Sequence, residues 1–282
     1  MDKLRFLIET YIDYQKDRIR FNNRLQSLPP ELAKETFFKA LADDIQSLEK
    51  TIQQEIAKEL ENEPIYTEYL KHQKGVGAMM AGYLIAWLCH PREFKIYGIT
   101  KKIAEKTYTR KWKGKEQTIT LPPYAEVTEE KLQSKPPYIK VKMPPVMEVA
   151  ENPSKLHKYC GVAPQSKRKH GQPTDYNPKL KTLMWKLFRQ LMMANGEWAK
   201  IARQVKTEYA KRCPNPEKGS RKLKIHLTTK NIIARRFLTN LWLIWRKMHG
   251  LPTTQPYPAK LGHTIQPPFI EKNGKTHYLN IN

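Results

Sequence analysis

The stretch Gln73-Lys74-Gly75-Val76-Gly77-Ala78-Met79-Met80-Ala81-Gly82-Tyr83-Leu84-Ile85 decides how this chain is read. Upstream, Ile65–Gln73 reads as a helix opened by Pro64. Downstream, Ala78 to Leu88 is a strongly apolar helix closed by Cys89-His90-Pro91. Between them Gly75-Val76-Gly77 allows a tight turn, and Ala81 keeps the two helices close. This is the pattern of a helix-hairpin-helix. The second helix of such a pair presents unpaired N–H groups that favour a phosphate, and Lys71 and Lys74 add charge beside them. Phosphate contact is therefore expected at Lys71, Lys74, Gly75, Val76 and Gly77, gripping a backbone without reading bases. The same glycines also suit a connection that serves packing only, and a Gly-x-Gly alone does not separate the two.

Toward the N-terminus, Leu4, Leu7, Tyr11 and Tyr14 recur at three and four and predict a helix over 3–26. Ser27-Leu28-Pro29-Pro30 breaks it, and a second helix runs from about Glu31 to Glu61 with a seam of Leu41, Ile45, Leu48, Ile52 and Ile56. Two long helices around a short Pro turn make an antiparallel hairpin. Its narrow apolar stripe suits either a coiled-coil homodimer or packing on the chain's own body.

Toward the C-terminus, residues 104–148 change character. Three Pro-Pro pairs and the Gly114 turn between Thr107–Trp112 and Gln117–Leu121 predict a β-hairpin plus extended strands. Helices resume near Pro153–Tyr159, Asn177–Asn195 and Glu197–Arg212, and a last one runs from Thr228 to His249. The final Pro- and aromatic-rich residues are expected to lie extended. The fold class so predicted is mainly α: a coiled-coil-like helical hairpin followed by a helix-hairpin-helix core with a small β insertion. Its expected divisions are 1–62 (hairpin), 63–98 (helix-hairpin-helix), 99–152 (β-rich insertion), 153–250 (basic helical domain) and 251–282 (extended tail).

Charge sharpens the reading. The 282 residues carry 51 Lys+Arg against 27 Asp+Glu, a formal net charge of +24. Residues 1–70 hold ten Lys+Arg and fourteen Asp+Glu, a net of −4, which leaves +28 on the remainder. A thermophile's surface raises Lys and Glu together, and here Glu does not follow Lys past residue 70. Nucleic acid is the favoured partner. No apolar run approaches the length of a membrane span, and the N-terminus reads as an amphipathic helix rather than a secretory signal. Cys89, Cys160 and Cys213 lie far apart, which excludes a disulfide framework and suggests a cytoplasmic protein, associated with a nucleoid or a ribonucleoprotein.

The Gln73–Ile85 stretch, running on to His90-Pro91-Arg92-Glu93-Phe94, resembles the helix-hairpin-helix of the RNA-guided DEDD insertion-sequence transposases, which join a RuvC-like domain to a C-terminal serine-bearing domain. Tyr159-Cys160-Gly161-Val162-Ala163-Pro164 is similar to their Tyr-Leu-Gly-Leu-x-Pro turn, and Asn177-Pro178-Lys179-Leu180-Lys181-Thr182-Leu183 to the helix that follows it. Ile232-Ile233-Ala234-Arg235-Arg236-Phe237-Leu238 resembles their closing helix, and Arg18–Leu25 the helical linker ahead of the hairpin-helix. The resemblance covers most of residues 1–250 and implies a transposase-like body. The family's metal-holding acidic domain precedes that linker, so none is expected in this chain, and the acids of residues 1–70 read as a solvated helical face. Basic residues stand where the family's serine is expected. Ser166 sits earlier than the pattern requires, although His170 and Asp175 are neighbours that activate a nucleophile in principle.

Three basic clusters are better suited to phosphate. Lys167, Arg168, Lys169 and His170 precede a helix that carries Lys179, Lys181 and Lys186. Arg221, Lys222 and Lys224 precede the last helix, which holds Arg235 and Arg236. Arg110, Lys111 and Lys113 surround Trp112 near Tyr108, a mixture that suits single strands or RNA, or equally a surface hairpin whose aromatics pack inward. His157 and Cys160 have ligand-like spacing without a second pair, so no metal is expected and no cofactor is implied. The functional expectation is a transposase-like protein that binds DNA, structured RNA or both through phosphates, without nuclease activity of its own. The alternatives are a minimal serine recombinase acting through Ser166, with or without a separate RuvC-like partner, and a structural subunit docking an acidic protein.

Overall fold

Asp2 accepts a hydrogen bond from the Arg5 amide and so caps the first helix, α1 (Lys3–Gln26). In this computed structural model, residues 2–33, 36–166, 174–256 and 265–280 are described. A short α2 (Pro30–Ala33) starts on proline, and α3 (Thr36–Leu60) returns antiparallel to α1. Burial along this pair is graded. Leu4, Ile8, Ile56 and Leu60 are almost wholly buried at the base, whereas Ile19, Leu41 and Leu48 are exposed further out, as is Phe37 near the turn. Only part of the predicted seam is therefore interior: the base of the hairpin packs on the chain's own body, and its distal part stays open.

The base rests on the helix-hairpin-helix. Pro64 starts α4 (Pro64–Glu68), which gives way to a single 3-10 turn at Leu70–His72 instead of continuing to Gln73. After the turn, α5 (Ala78–Leu84) continues as one π-helical turn, Ile85–Cys89. Gly82 belongs to this contact: a Cβ there would lie 2.9 Å from Ile8 Cδ1 and 3.3 Å from Ile56 Cγ2. A small residue is what lets the hairpin helices approach.

Strands then occupy a continuous stretch: β1 (Arg92–Tyr97), β2 (Ile99–Ala104), β3 (Thr107–Trp112), β4 (Lys115–Thr120), β5 (Glu126–Lys131) and β6 (Tyr138–Met143). They form two antiparallel sheets, β1-β6-β5 and β2-β3-β4. Ile99, Tyr108, Leu121, Ala125, Ile139 and Val141 build a core of their own, separate from the helical one. Lys113 and Gly114 both take positive φ (51° and 78°), the two-residue turn that matches strand twist between Trp112 and Lys115.

Helices α6 (Val146–Val149), α7 (Pro153–Tyr159), α8 (Pro178–Ala194), α9 (Glu197–Lys211) and α10 (Gly219–Met248) complete the body. Asn177 caps α8 through the amides of Lys179 and Leu180. The second half of α10 is central: Trp242 Nε1 donates to the Ala150 carbonyl at 2.7 Å, and Arg246 reaches the carbonyls of Met147 and Glu148. This helix begins at Gly219 rather than Thr228, so Arg221, Lys222 and Lys224 lie on its first turns and not ahead of it. Near the C-terminus β7 (Phe269–Lys272) and β8 (Lys275–Tyr278) form a hairpin around Asn273-Gly274, where an extended tail was expected.

The mainly-α assignment is thereby corrected. The fold is mixed, 55% helical and 17% strand, with three antiparallel sheets of two or three strands. The sequence understates the β content for a physical reason. β6 alternates buried and less buried positions, and β4 and β5 bury no residue and carry lysines, threonines and glutamates, so no continuous apolar run marks them. Among the described residues, no helix is long and apolar enough to cross a membrane.

Candidate nucleic-acid interface

The glycine turn at the centre of the molecule is built more for packing than the sequence suggests. Gly75 has φ +96°, and a Cβ there would lie 2.9 Å from the Gln190 carbonyl oxygen, so the residue is fixed against the backbone of α8. Gln73, almost wholly buried, accepts from the Trp198 indole at 2.8 Å and donates to the Phe269 carbonyl at 2.6 Å. Glu271 on β7 accepts from the Lys74 amide (3.2 Å) and from the Glu197 amide at the start of α9 (2.9 Å). The backbone of Lys74, a residue expected to meet phosphate, is therefore already held by a carboxylate of the same chain. Lys71 is likewise engaged, 2.7 Å from Glu61. Val76 is buried. What stays open is the Gly77 side. Gly77 has no neighbour within 4 Å of a would-be Cβ, and it starts α5 beside an open cleft of about 710 Å³ lined by Gln53, Lys71, Lys74, Met79 and Met193 among others. The first amides of a helix have no intrahelical acceptor, so this cleft offers donors to an anion.

The more concentrated positive charge lies on α8 and the first turns of α10. His226 packs edge-on against Trp185 and Phe188, with ring centroids 5.9 and 5.5 Å apart, which sets the start of α10 beside the middle of α8. The same two helices carry Lys179, Lys181, Lys186 and Arg189 (α8) and Lys222, Lys224 and Lys230 (α10). No carboxylate among the described residues lies within ion-pair distance of any of them. Lys230 and Arg189 carry no obvious motif. Only the packing of Trp185 and Phe188 on His226 reveals that they belong with the others. Arg221 turns away and donates to the Pro214 carbonyl.

Arg235 and Arg236 do not join this surface. Arg235 lies beside α7, where His157 Nε2 sits 3.1 Å from its carbonyl oxygen, and Arg236 feels Glu208 of α9. Burial lowers the pKa of both guanidinium groups, Arg235 further through the charge of Arg236. Burial, together with the Arg235 charge, also pushes His157 down to about 4. With Thr239 Oγ1 as its other neighbour, His157 is a neutral structural residue, and Cys160 beside it is fully buried. Among the described residues no three His, Cys, Asp or Glu side chains converge as metal ligands would.

On the β module, Lys111 is exposed and Lys113 holds the turn, while Arg110 is half-buried against the Gly98 side of the sheet. Tyr108 is fully buried, its hydroxyl 2.7 Å from Glu130, so it is a core residue and not a stacking platform. Trp112 ends strand β3. Lys167, Arg168, Lys169 and His170 lie outside the described residues.

Ser166 is 7% exposed and its Oγ has no hydrogen-bond partner among the described residues. Lys181 Nζ reaches its carbonyl oxygen, not its hydroxyl, at 3.3 Å, and Asp175 faces Lys158 at 3.7 Å. No described base is placed to activate this serine. Compared with protein families, curated proteins and solved structures, the chain finds no match. The transposase resemblance rests on its short motifs alone.

Proposed function

We propose that this protein binds nucleic acid, DNA or structured RNA, through backbone phosphates, as a transposase-like grip without nuclease chemistry of its own. The observation that carries the reading is the concentration of cations on α8 and the first turns of α10: Lys179, Lys181, Lys186, Arg189, Lys222 and Lys224 have no carboxylate within ion-pair distance among the described residues. Such a surface repels itself in the free protein and gains most from a polyanion that releases its counterions on binding. The open cleft beside Gly77, lined in part by Lys71 and Lys74, adds a second, sequence-independent contact. The exposed distal part of the α1–α3 hairpin, with Phe37, Leu41 and Leu48, suits pairing with a second copy. A protein of this kind would work in the cytoplasm, on a nucleoid or in a ribonucleoprotein.

Fluorescence anisotropy with labelled duplex DNA and with a structured RNA, from low to high salt, tests the reading. Affinity is expected to fall linearly on a log–log plot, by about 0.9 of slope per phosphate neutralised on duplex DNA. A flat salt dependence, or no binding at low salt, rejects it.

A further inference from the structure

Lys230 sits on the inner side of the α8–α10 seam, only 7% exposed, and no acid answers its charge among the described residues. Its ammonium lies 5.5 Å from the Trp185 ring, and the charge felt from its surroundings is that of a second cation, Lys181. Lys181 in turn lies 4.2 Å from the Tyr176 ring and holds the Ser166 carbonyl oxygen. Gly161, with φ +68°, is what admits this arrangement: a Cβ there would lie 2.9 Å from Tyr176 and 3.1 Å from Lys181. Lys181 thus links the second cation, Lys230, to a buried serine whose hydroxyl has no partner among the described residues. Both kinds of group are costly to bury without an answering charge or acceptor. Aromatic faces moderate an ammonium's field but accept none of its hydrogen bonds, so the N–H donors stay open.

We infer that Ser166, Lys181 and Lys230 form a binding site for one phosphoryl group. A phosphoryl group supplies what the seam lacks, negative charge for the two ammonium groups and an acceptor oxygen for the Ser166 hydroxyl. No covalent step is involved, and the serine serves as a donor. The inference rests on the phosphate-binding reading above and sharpens it, from a field of surface charge to a single phosphate held at named residues. The group can arrive free or on a nucleic-acid strand, and the two sources are separable.

The test uses the full chain. Thermal unfolding is followed with inorganic phosphate and, at matched ionic strength, with chloride; a ligand that binds only the folded state raises the midpoint with its concentration. Phosphate is expected to raise the midpoint and chloride to leave it in place. Lys230→Met fills the same volume without the charge and is expected to abolish the phosphate shift while remaining folded. Ser166→Ala is expected to reduce it, and Lys181→Met serves as the second charge variant. A wild-type protein with no phosphate-specific shift, or a Lys230→Met protein that shifts as the wild type does, overturns the inference. Competition by an oligonucleotide with and without a 5′-phosphate separates the sources: a free-phosphate site is indifferent to the strand, and a strand site is displaced by it. Anisotropy with long duplex DNA, run on the same samples, keeps the two readings apart. DNA binding without a phosphate shift rejects the enclosed site alone, and a Lys230-dependent phosphate shift without DNA binding rejects the broader grip alone.

Discussion

In the α1–α3 hairpin Lys3 meets Glu59 and Lys58 meets Glu55, both at 2.6 Å, and Arg18 reaches the buried Glu49 at 2.5 Å. On α8 and the first turns of α10, Lys186, Arg189, Lys222 and Lys224 meet no carboxylate among the described residues. Both regions are helical and rich in charge, yet one closes its charges within itself and the other leaves them for something outside. Net charge alone does not draw this distinction. The hairpin's −4 is a small residue of many local pairs, whereas the body's +28 is what remains after its own pairs, such as Lys102–Glu130, Lys140–Glu93 and Lys155–Glu151, are made, and Glu271 and Glu197 serve backbone amides and neighbouring side chains.

The largest expected effect breaks the contrast directly. Replacing Lys186, Arg189, Lys222 and Lys224 together by Gln is expected to reduce the salt slope of DNA binding by about 3 to 4. The matched set Lys3, Lys16, Arg20 and Lys58→Gln is expected to leave that slope unchanged in the same anisotropy titration. Equal losses from both sets would mean that the division between closed and open charge has no functional meaning.

Next in size is a pH effect confined to the closed region. His90 lies between Asp2 (Nδ1 to Oδ2, 2.6 Å) and Glu63 (Nε2 to Oε1, 3.0 Å). Burial opposes its charge, but the hydrogen bonds to the two carboxylates outweigh burial and raise it from 6.5 to about 9. A raised pKa stabilises the fold fully below the unfolded value, and the stabilisation is lost as pH rises through the folded one. Urea midpoints are therefore expected to fall between about pH 6.5 and 9, by up to roughly 3 kcal/mol, and to flatten over that range in His90→Gln.

Removing one charge in each region is expected to change stability in opposite directions. Arg18→Met leaves Glu49, 5% exposed, without its partner and is expected to destabilise by about 2 kcal/mol. Lys230→Met removes a buried cation that has no acid partner and is expected to stabilise by about 1 kcal/mol. Chemical denaturation of the two variants measures both, and the same sign for each would remove the basis of the comparison.

Much of the helical framework was legible in the residues. Pro64, Pro153 and Pro178 start helices where proline fits best, Asn177 caps α8, and the 3.6 periodicity locates α1 and α3. The glycine turn was legible as a turn, but not its partner: nothing near Gly75 says that the Gln190 carbonyl fills the space a side chain would take. Asn273-Gly274 was a strong two-residue hairpin signal that short flanking strands and a proline-rich setting concealed. Tyr108, among basic neighbours, suited stacking and inward packing equally. Whether an aromatic faces solvent or a core depends on which side of a sheet closes on the other, and strand alternation alone leaves that open.

The sequence by itself determined the asymmetry of charge, the places where helices begin, and the glycines that turn the chain, because each depends on residue type and on neighbours a few positions away. The tertiary structure alone decided which charges are answered. Lys230 and Lys181 are 49 positions apart and come together only because His226 docks on Trp185 and Phe188. Electrostatic energy depends on distance and burial, not on separation along the chain, so a cation's partner, or the lack of one, is fixed only when the helices pack.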